Sequence, residues 1–402
     1  MNNKGKLKYF LLGTLVSALC FLALTGVILL IGSGIFMLNG GGGSSEGGAV
    51  AEQNIEKIEH FQDLLKTYYY EDVSDEELAD GVLYGLMETV GDPYTCYYSP
   101  EEMEDLTADL EGIFHGIGAY LEMDYDAGYA KISGIIDGTP ASQADIKVGD
   151  YIVEVDGEDV YEMTLTDVVA KIRGEAGTEV VLTLNRDGEE MEVAVTRQNI
   201  ETPTVKYELL EDGIAHITIT EFNDLTTAQY VEAMTQMEAD NAEGLILDLR
   251  GNPGGSLATV VEICEMMLPK GMIVYTEDKY GFRNEYKCDG KNEFKLPLVV
   301  LIDGGSASAS EIMAGAIKDY EMGTLVGTTT YGKGIVQKIF TYEDGSAAKI
   351  TVSKYYTPNG YNIHGVGIEP DVEVEFDADK YLEEEIDNQL EEAIRIISEE
   401  MN

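Results

Sequence analysis

Residues Gly244–Met267 read "GLILDLRGNPGGSLATVVEICEMM". An apolar run of strand length stops at a turn rich in glycine and proline, and an apolar stretch with helical spacing, Leu257 to Met267, follows. The unit recurs downstream, where "LPLVVLID" runs into "GGSASASEI" and a helix from Ser308 to Tyr320. Upstream, "GIAHITIT" precedes a helix near Thr227 to Ala239. Buried-looking strands alternating with helices predict an α/β domain with a largely parallel sheet, residues 199–376. Both glycine-rich turns then fall at strand C-terminal ends, where helix N-termini carry unpaired N–H groups and ligands gather. Taken singly, either turn is explained by the tight reversal that Gly and Pro make.

Toward the N-terminus the pattern changes. Residues 112–198 hold short alternating strands, "YAKISGIID", "DYIVEVDG", "EVVLTLNR" and "EMEVAVTR", cut by Gly, Asp and Pro turns, with helical stretches near Ala141–Ala144 and Leu165–Arg173. In "FHGIGAYLEM" a glycine loop runs straight into a strand. The backbone N–H groups of Gly116, Ile117 and Gly118 can therefore converge on a carboxylate while the strand edge pairs with a peptide. With "GTPASQADIKVGDYIVEVDGEDV" and the helix after it, this stretch resembles a PDZ domain. Residues 52–111 have helical periodicity, with Ile55, Ile58, Phe61, Leu64 and Leu65 on one face and a Ser74 cap opening "SDEELADGVLYGLMETV", until "GDPY" at 91–94 breaks it.

The net charge of -49, from 75 acidic against 26 basic residues, argues against nucleic acid or an anionic membrane surface as partner. No charged residue occurs from Tyr9 to Leu38, and this apolar run exceeds the roughly 20 residues that span a bilayer, so 9–38 is expected to be one transmembrane signal-anchor. Lys4, Lys6 and Lys8 precede it and no basic residue follows until Lys57, which leaves residues 1–8 in the cytoplasm and the body outside, as in a single-pass cell-membrane protein. The stretch 39–51, with "NGGGGSSEGG", reads as a flexible linker. Cys20 lies in the membrane run, Cys96, Cys264 and Cys288 form an odd set, and His60, His115, His216 and His364 are scattered, so no metal, cofactor or required disulfide is expected. The tail, 377–402, reads as one acidic amphipathic helix with Leu382, Ile386, Leu390, Ile394 and Ile397 in a stripe that fits either a subunit contact or the core. The apolar "HFQDLLKTYYY" and this stripe together lead to an expected homodimer.

One loop decides the chemistry. "GTTTYGKGIVQ", Gly327 to Gln337, nearly spells a phosphate-binding G-x-x-x-x-G-K loop, but Gly334 stands where that loop needs a Ser or Thr, and a strand-like run follows instead of a helix. With "GDPYTCYYSPEE", "FHGIGA", "DLRGNPGG", "GSASASEIMAGAIKD", "YGKGIVQ" and "GVGIEPDV" in order, residues 52–376 resemble the C-terminal processing peptidases, tail-specific serine proteases with a PDZ domain and a serine–lysine pair. The resemblance implies a crotonase/ClpP-like α/β protease core with an inserted α+β PDZ domain, and protein or peptide substrates engaged through their C-terminal segments. It also implies Ser308, 25 residues before the lysine, as nucleophile, Lys333 as general base, Gln337 as its positioning partner, and the backbone N–H groups of Gly254 and Ala309 as the oxyanion hole.

The residues themselves agree. A serine at a strand-to-helix turn presents its hydroxyl to a helix N-terminus, where a developing oxyanion is stabilised. A lysine base must be held far below its usual pKa near 10.4, which apolar burial achieves. At period two Lys333 and Gln337 share a face, and a glutamine binds the amine without adding a charge that would keep its proton on. Asp248 and Arg250 are expected to fix their loop. A Ser/His hydrolase using His364 and a non-catalytic PDZ scaffold are the alternatives.

Overall fold

The computed structural model describes residues 47–401. The expected anchor 9–38, its flank 1–8 and most of the expected linker lie outside the described residues. Among the described residues no helix is long and apolar enough to cross a membrane. The chain divides into two compact units, the first ending at Leu78 and the second beginning at Ala79.

In the first unit, α1 (Gly47–Tyr68) starts inside the stretch read as a linker. Helix α2 (Asp75–Glu88), whose first turn belongs to this unit and whose remainder belongs to the second, opens at Ser74 with a reciprocal cap, in which Glu77 N–H donates to Ser74 Oγ at 3.1 Å and Ser74 N–H donates to Glu77 Oε2 at 2.8 Å. In the second unit, β1 (Cys96–Tyr98) and α3 (Pro100–Glu111) complete the region N-terminal to the PDZ-like domain.

That domain begins with β2 (Ile113–Gly116), β3 (Ala119–Asp124) and β4 (Tyr129–Ile135), followed by the single turn α4 (Pro140–Gln143). Then come β5 (Tyr151–Val155), β6 (Glu158–Asp159), α5 (Leu165–Ile172), β7 (Glu179–Arg186) and β8 (Glu189–Thr196). The sheet order is β3-β4-β5-β7-β8, with β6 on β5, so β3 is an edge strand. Ile132, Ile152, Val168, Leu182 and Leu184 form a core of its own. The entering β2 pairs antiparallel with the leaving β9 (Gln198–Glu201), Gly116 opposite Gln198, so one two-stranded ribbon carries both connections.

The α/β core runs β10 (Val205–Leu209), β11 (Ile214–Ile219), α6 (Thr226–Ala239), β12 (Gly244–Asp248), α7 (Leu257–Glu265), β13 (Gly271–Asp278) and β14 (Arg283–Cys288). It continues with β15 (Leu298–Ile302), α8 (Ala309–Asp319), β16 (Thr324–Gly327), β17 (Ile335–Thr341), β18 (Ala347–Tyr356) and β19 (Val372–Glu373). The main sheet has the order β10-β11-β12-β15-β16-β19, antiparallel at β10/β11 and parallel elsewhere. Strands β12 and β15 are buried along their whole length because both faces are covered. Leu245, Leu247 and Val300 pack with α6, α7 and α8 residues such as Tyr230, Val260 and Met313, whereas Ile246, Val299 and Leu301 pack on the other side. A second sheet is built on β18, with β17 along one edge and β1 and β13 sharing the other.

The tail differs from the single helix expected. It is two helices, α9 (Ala378–Glu384) and α10 (Asn388–Met401), broken at Glu385, whose φ is 57°. Ala393, Ile396 and Ile397 of α10 close the outer face of the main sheet over Ile214, Ile246 and Val326, with Leu390 and Ile394 beside them. Fully burying one such aliphatic side chain stabilises by roughly 1.5–3 kcal/mol. The stripe is therefore core over α10, while Leu382 on α9 is exposed.

Candidate active site

Two glycine-rich loops leave the C-terminal ends of β12 and β15 and are laced together. Asp303 Oδ1 accepts from the N–H groups of Gly251, Gly305 and Ser306 at 2.8, 2.9 and 3.1 Å. Asn252 O accepts from Ala307 N–H at 2.9 Å and from Ser310 Oγ at 3.0 Å, and Ser306 Oγ donates to Leu249 O at 2.8 Å. Ser306 and Ser310 are thus fully buried with their hydroxyls on main-chain carbonyls, which leaves Ser308 as the half-buried serine of the three.

Ser308 is the residue before α8, with φ 53° and ψ -109°. A non-glycine residue at positive φ is strained and persists only where its surroundings over-determine it. Here they do. Ser308 N–H donates to Glu311 Oε2 at 2.8 Å, and Tyr355 Oη donates to Ser308 O at 3.0 Å. Gly254 presses on the same turn, since a Cβ there would stand 2.7 Å from both Ala307 O and Ser308 Cβ. Its N–H, however, donates to Asn252 Oδ1 at 2.8 Å. Of the two expected oxyanion donors, Gly254 is therefore already engaged, because an asparagine two residues earlier closes an Asx turn on it. Ala309 N–H, at the start of α8, has no intrahelical acceptor.

Glu311 is fully buried and gathers the site. Its Oε1 accepts from Thr330 Oγ1 at 2.6 Å and Gly332 N–H at 2.7 Å, and its Oε2 accepts from Ser308 N–H and, at 2.9 Å, Lys333 N–H. One carboxylate thereby joins the serine turn to the lysine loop. Sequence reasoning missed this residue, although Ser308-x-x-Glu311 is a capping-box spacing. Tyr355 was missed too and carries no local signal.

Lys333 is half-buried in the loop before β17. Burial pushes its ammonium below the ordinary lysine range and the Lys349 charge adds to this, while Glu311 and Asp92 oppose it. Its Nζ lies 4.6 Å from the centroid of the Tyr94 ring. Among the described residues it makes no hydrogen bond to Ser308 or Gln337. Strand β17 starts only at Ile335, and its register with β18 shifts between Val336 and Gln337. Gln337 Nε2 instead donates to Thr351 Oγ1 at 3.4 Å. His364 is exposed in a loop whose backbone abuts Gly334, and among the described residues its ring makes no hydrogen bond to Ser308.

Asp248 and Arg250 sit at the end of β12. The Arg250 guanidinium reaches Asp248 Oδ2 at 2.6 Å, Asp387 Oδ2 at 2.8 Å and Gln389 Oε1 at 3.0 Å, so it ties this loop to the start of α10. In the PDZ-like domain, Gly116, Ile117 and Gly118 are buried beside the edge strand β3. The carbonyls of Ile117 and Gly118 accept from Ala141 N–H at 2.8 Å and Ile136 N–H at 3.0 Å. The Gly118 N–H has no acceptor among the described residues, and α5 packs beside β3.

Comparison with known proteins identifies the domains. Residues 213–374 match the model of peptidase family S41, residues 131–186 that of the PDZ domain, and residues 41–102 that of the activating protease CtpB N-terminal domain. The chain is 36% identical over 329 residues to the carboxy-terminal processing protease CtpA of Bacillus subtilis, covering 81% of this chain and 70% of that protein. It is 35% identical over 337 residues to a carboxy-terminal-processing protease of Bartonella bacilliformis, covering 81% and 76%. The crystal structure of a putative S41 protease from Bacteroides fragilis shares the fold at a TM-score of 0.53 and 16% identity, covering 82% of this chain and 98% of that one. An S41 core with a PDZ domain inserted ahead of it, and relatives matched over most of their length, lead to one conclusion: this chain belongs to the C-terminal processing peptidase family and is a serine-type peptidase.

Proposed function

We propose that the protein is a membrane-anchored endopeptidase facing out of the cell, which takes C-terminal segments of protein substrates in its PDZ groove and cuts them with Ser308 as nucleophile and Lys333 as base. The observation that carries this reading is the shared carboxylate: Ser308 and Lys333, far apart in the chain, both donate backbone N–H groups to Glu311 Oε2. The neutral Lys333 amine takes the Ser308 proton as Oγ adds to the scissile carbonyl, and the ammonium then protonates the departing amine, leaving an acyl-serine. Water, deprotonated by the same amine, releases the product acid. Ala309 N–H, with the dipole of α8 behind it, faces the oxyanion. Gln337 holds the neutral amine once the lysine turns toward Ser308. The anchor rests on the uncharged run 9–38 and the lysines before it. A second copy of the chain is proposed to cover Phe61, Leu65 and Tyr68 of α1, which are exposed.

The test is cleavage of an unfolded protein and a short peptide by Ser308→Ala and Lys333→Arg. Arginine keeps charge and donors but cannot release its proton. Both variants should lose cleavage together while circular dichroism stays unchanged, because members of one catalytic unit fail together. Substantial activity in Lys333→Arg would end the serine–lysine reading.

A further inference from the structure

The lysine loop meets a segment that the reaction has not yet used. Tyr94 lies just before β1, in a turn where Asp92 Oδ1 accepts Tyr94 N–H at 3.1 Å and Asp92 Oδ2 accepts Thr95 Oγ1 at 2.7 Å. Thr351 N–H donates to Thr95 Oγ1 at 3.1 Å, which fastens the turn to β18. Tyr94 Oη reaches Tyr331 Oη at 3.3 Å, and Tyr331 belongs to the same loop as Lys333. The ring is thus fixed at both ends, with the Lys333 ammonium 4.6 Å from its centroid. Among the described residues this ring is the partner the ammonium has.

We infer that Tyr94 is a positioning residue for Lys333, whose ring face receives the ammonium that forms when the lysine takes the Ser308 proton. An aromatic face attracts a cation and is indifferent to a neutral amine, so it favours the protonated product of the transfer without blocking the neutral base. The charged and titratable groups around Lys333 are Glu311 from α8, Lys349 from β18, Asp92 and Tyr94 from the turn before β1, Tyr331 from its own loop, and His364 from the loop packed on Gly334. Burial and Lys349 favour the neutral amine, whereas Asp92, Glu311 and the ring favour the ammonium. The inference rests on the serine–lysine reading.

The experiment is the pH profile of kcat/KM for the full-length chain, on a quenched peptide with no titratable side chain, for wild type, Tyr94→Phe, Tyr94→Leu and Lys333→Arg. Without the ring the ammonium loses a stabilising neighbour, so the rising limb in Tyr94→Leu should move down by about 0.4–1.5 pH units. Its plateau should fall by up to about 30-fold, since the group becomes a weaker base. Tyr94→Phe keeps the ring face and should keep the wild-type limb. A plateau that falls with the limb unmoved would mean that Tyr94 is structural only and would overturn the inference. If Tyr94→Leu does not fold, Tyr94→Trp offers a stronger ring face and should move the limb up; an unmoved limb there also overturns it. Should Lys333→Arg retain activity, the serine–lysine reading falls with it, whereas an inactive Lys333→Arg beside an unshifted Tyr94→Leu removes the Tyr94 inference alone.

Discussion

Ser308 donates its backbone N–H to the carboxylate of Glu311 at 2.8 Å, so the strained residue proposed as nucleophile is held by a buried side chain one helical turn ahead. The other oxygen of that carboxylate holds Thr330 and Gly332. Glu311→Gln replaces one acceptor oxygen by a donor and sets it against N–H or O–H groups, each stranded group costing about 1–3 kcal/mol. The variant should unfold several degrees below wild type and lose most of its activity. Thermal unfolding and peptide cleavage measure both, and wild-type values for each would remove Glu311 from the site.

Much of the architecture was legible because the signals were local. Strands β12 and β15 are apolar at nearly every position and run into glycine-rich turns, a pattern that few elements other than buried parallel strands produce. The PDZ-like sheet and the Ser74 cap were equally plain. Strand β1 was not, because three residues are too few for a period-two pattern and its partner β18 comes late in the chain. The break at Glu385 has no glycine or proline to announce it. At the site, the sequence pointed to the serine turn and the lysine loop but not to what joins them. Glu311 has a local signature only toward Ser308, and its contacts with Thr330, Gly332 and Tyr355 exist only once the chain is folded. The Asn252 bond that engages Gly254 N–H was likewise hidden.

Gly254→Ala should inactivate the enzyme. At φ 104° a Cβ is strained, and here it would meet Ala307 O and Ser308 Cβ at 2.7 Å, so the serine turn must move. Displacing a reacting group by about 1 Å can cost 100-fold in rate. Gly251→Ala is the control, because a Cβ there meets open space. A Gly254→Ala rate no lower than that of Gly251→Ala would contradict this account.

Asp387→Ala should weaken both the tail and the catalytic loop. Asp387 accepts from the N–H groups of Gln389 and Leu390 at 3.1 and 3.0 Å, capping α10, and pairs with Arg250 of the "DLRGNPGG" loop. Losing a cap and half of a partly buried pair should cost about 2–4 kcal/mol. The same cluster gives an acid dependence. Burial alone would raise the Asp248 pKa, but hydrogen bonds from His216 and Arg250 outweigh it and hold the carboxyl below its usual range. Its stabilising contribution is thus full above about pH 4, the unfolded value, and is lost as pH falls through the lower folded value. Chemical denaturation of the two proteins between neutral and acid pH tests this; a variant as stable as wild type throughout would refute it.

A peptide with a free C-terminal carboxylate should bind the full-length Ser308→Ala chain at least about tenfold more tightly than its amide, since the loop before β3 offers N–H donors to the charge. Gly118→Val should abolish the difference, because a Cβ at Gly118 would collide with Thr139 at 2.3 Å. Fluorescence anisotropy with labelled peptides gives the ratio, and equal affinities would dismiss carboxylate capture.

Lys349→Met should move the pH limb opposite to Tyr94→Leu. Lys349 stands over the Tyr98 ring, 4.8 Å from its centroid, and its charge helps to keep Lys333 neutral. Removing that charge leaves burial as the main force lowering the Lys333 pKa, while Glu311 and Asp92 continue to raise it. The lysine pKa must then rise, so the limb of kcat/KM should shift upward by roughly 0.3–1 pH unit. At neutral pH the variant has less neutral amine and should be slower, yet at high pH it should match or exceed wild type, because the more basic amine is the better proton acceptor. Salt supplies a second check: screening weakens the effect of Lys349 on Lys333, so the gap between the wild-type and Lys349→Met limbs should narrow as ionic strength rises. A limb that stays fixed in Lys349→Met, or moves down, would show that the group titrating in the profile is not Lys333.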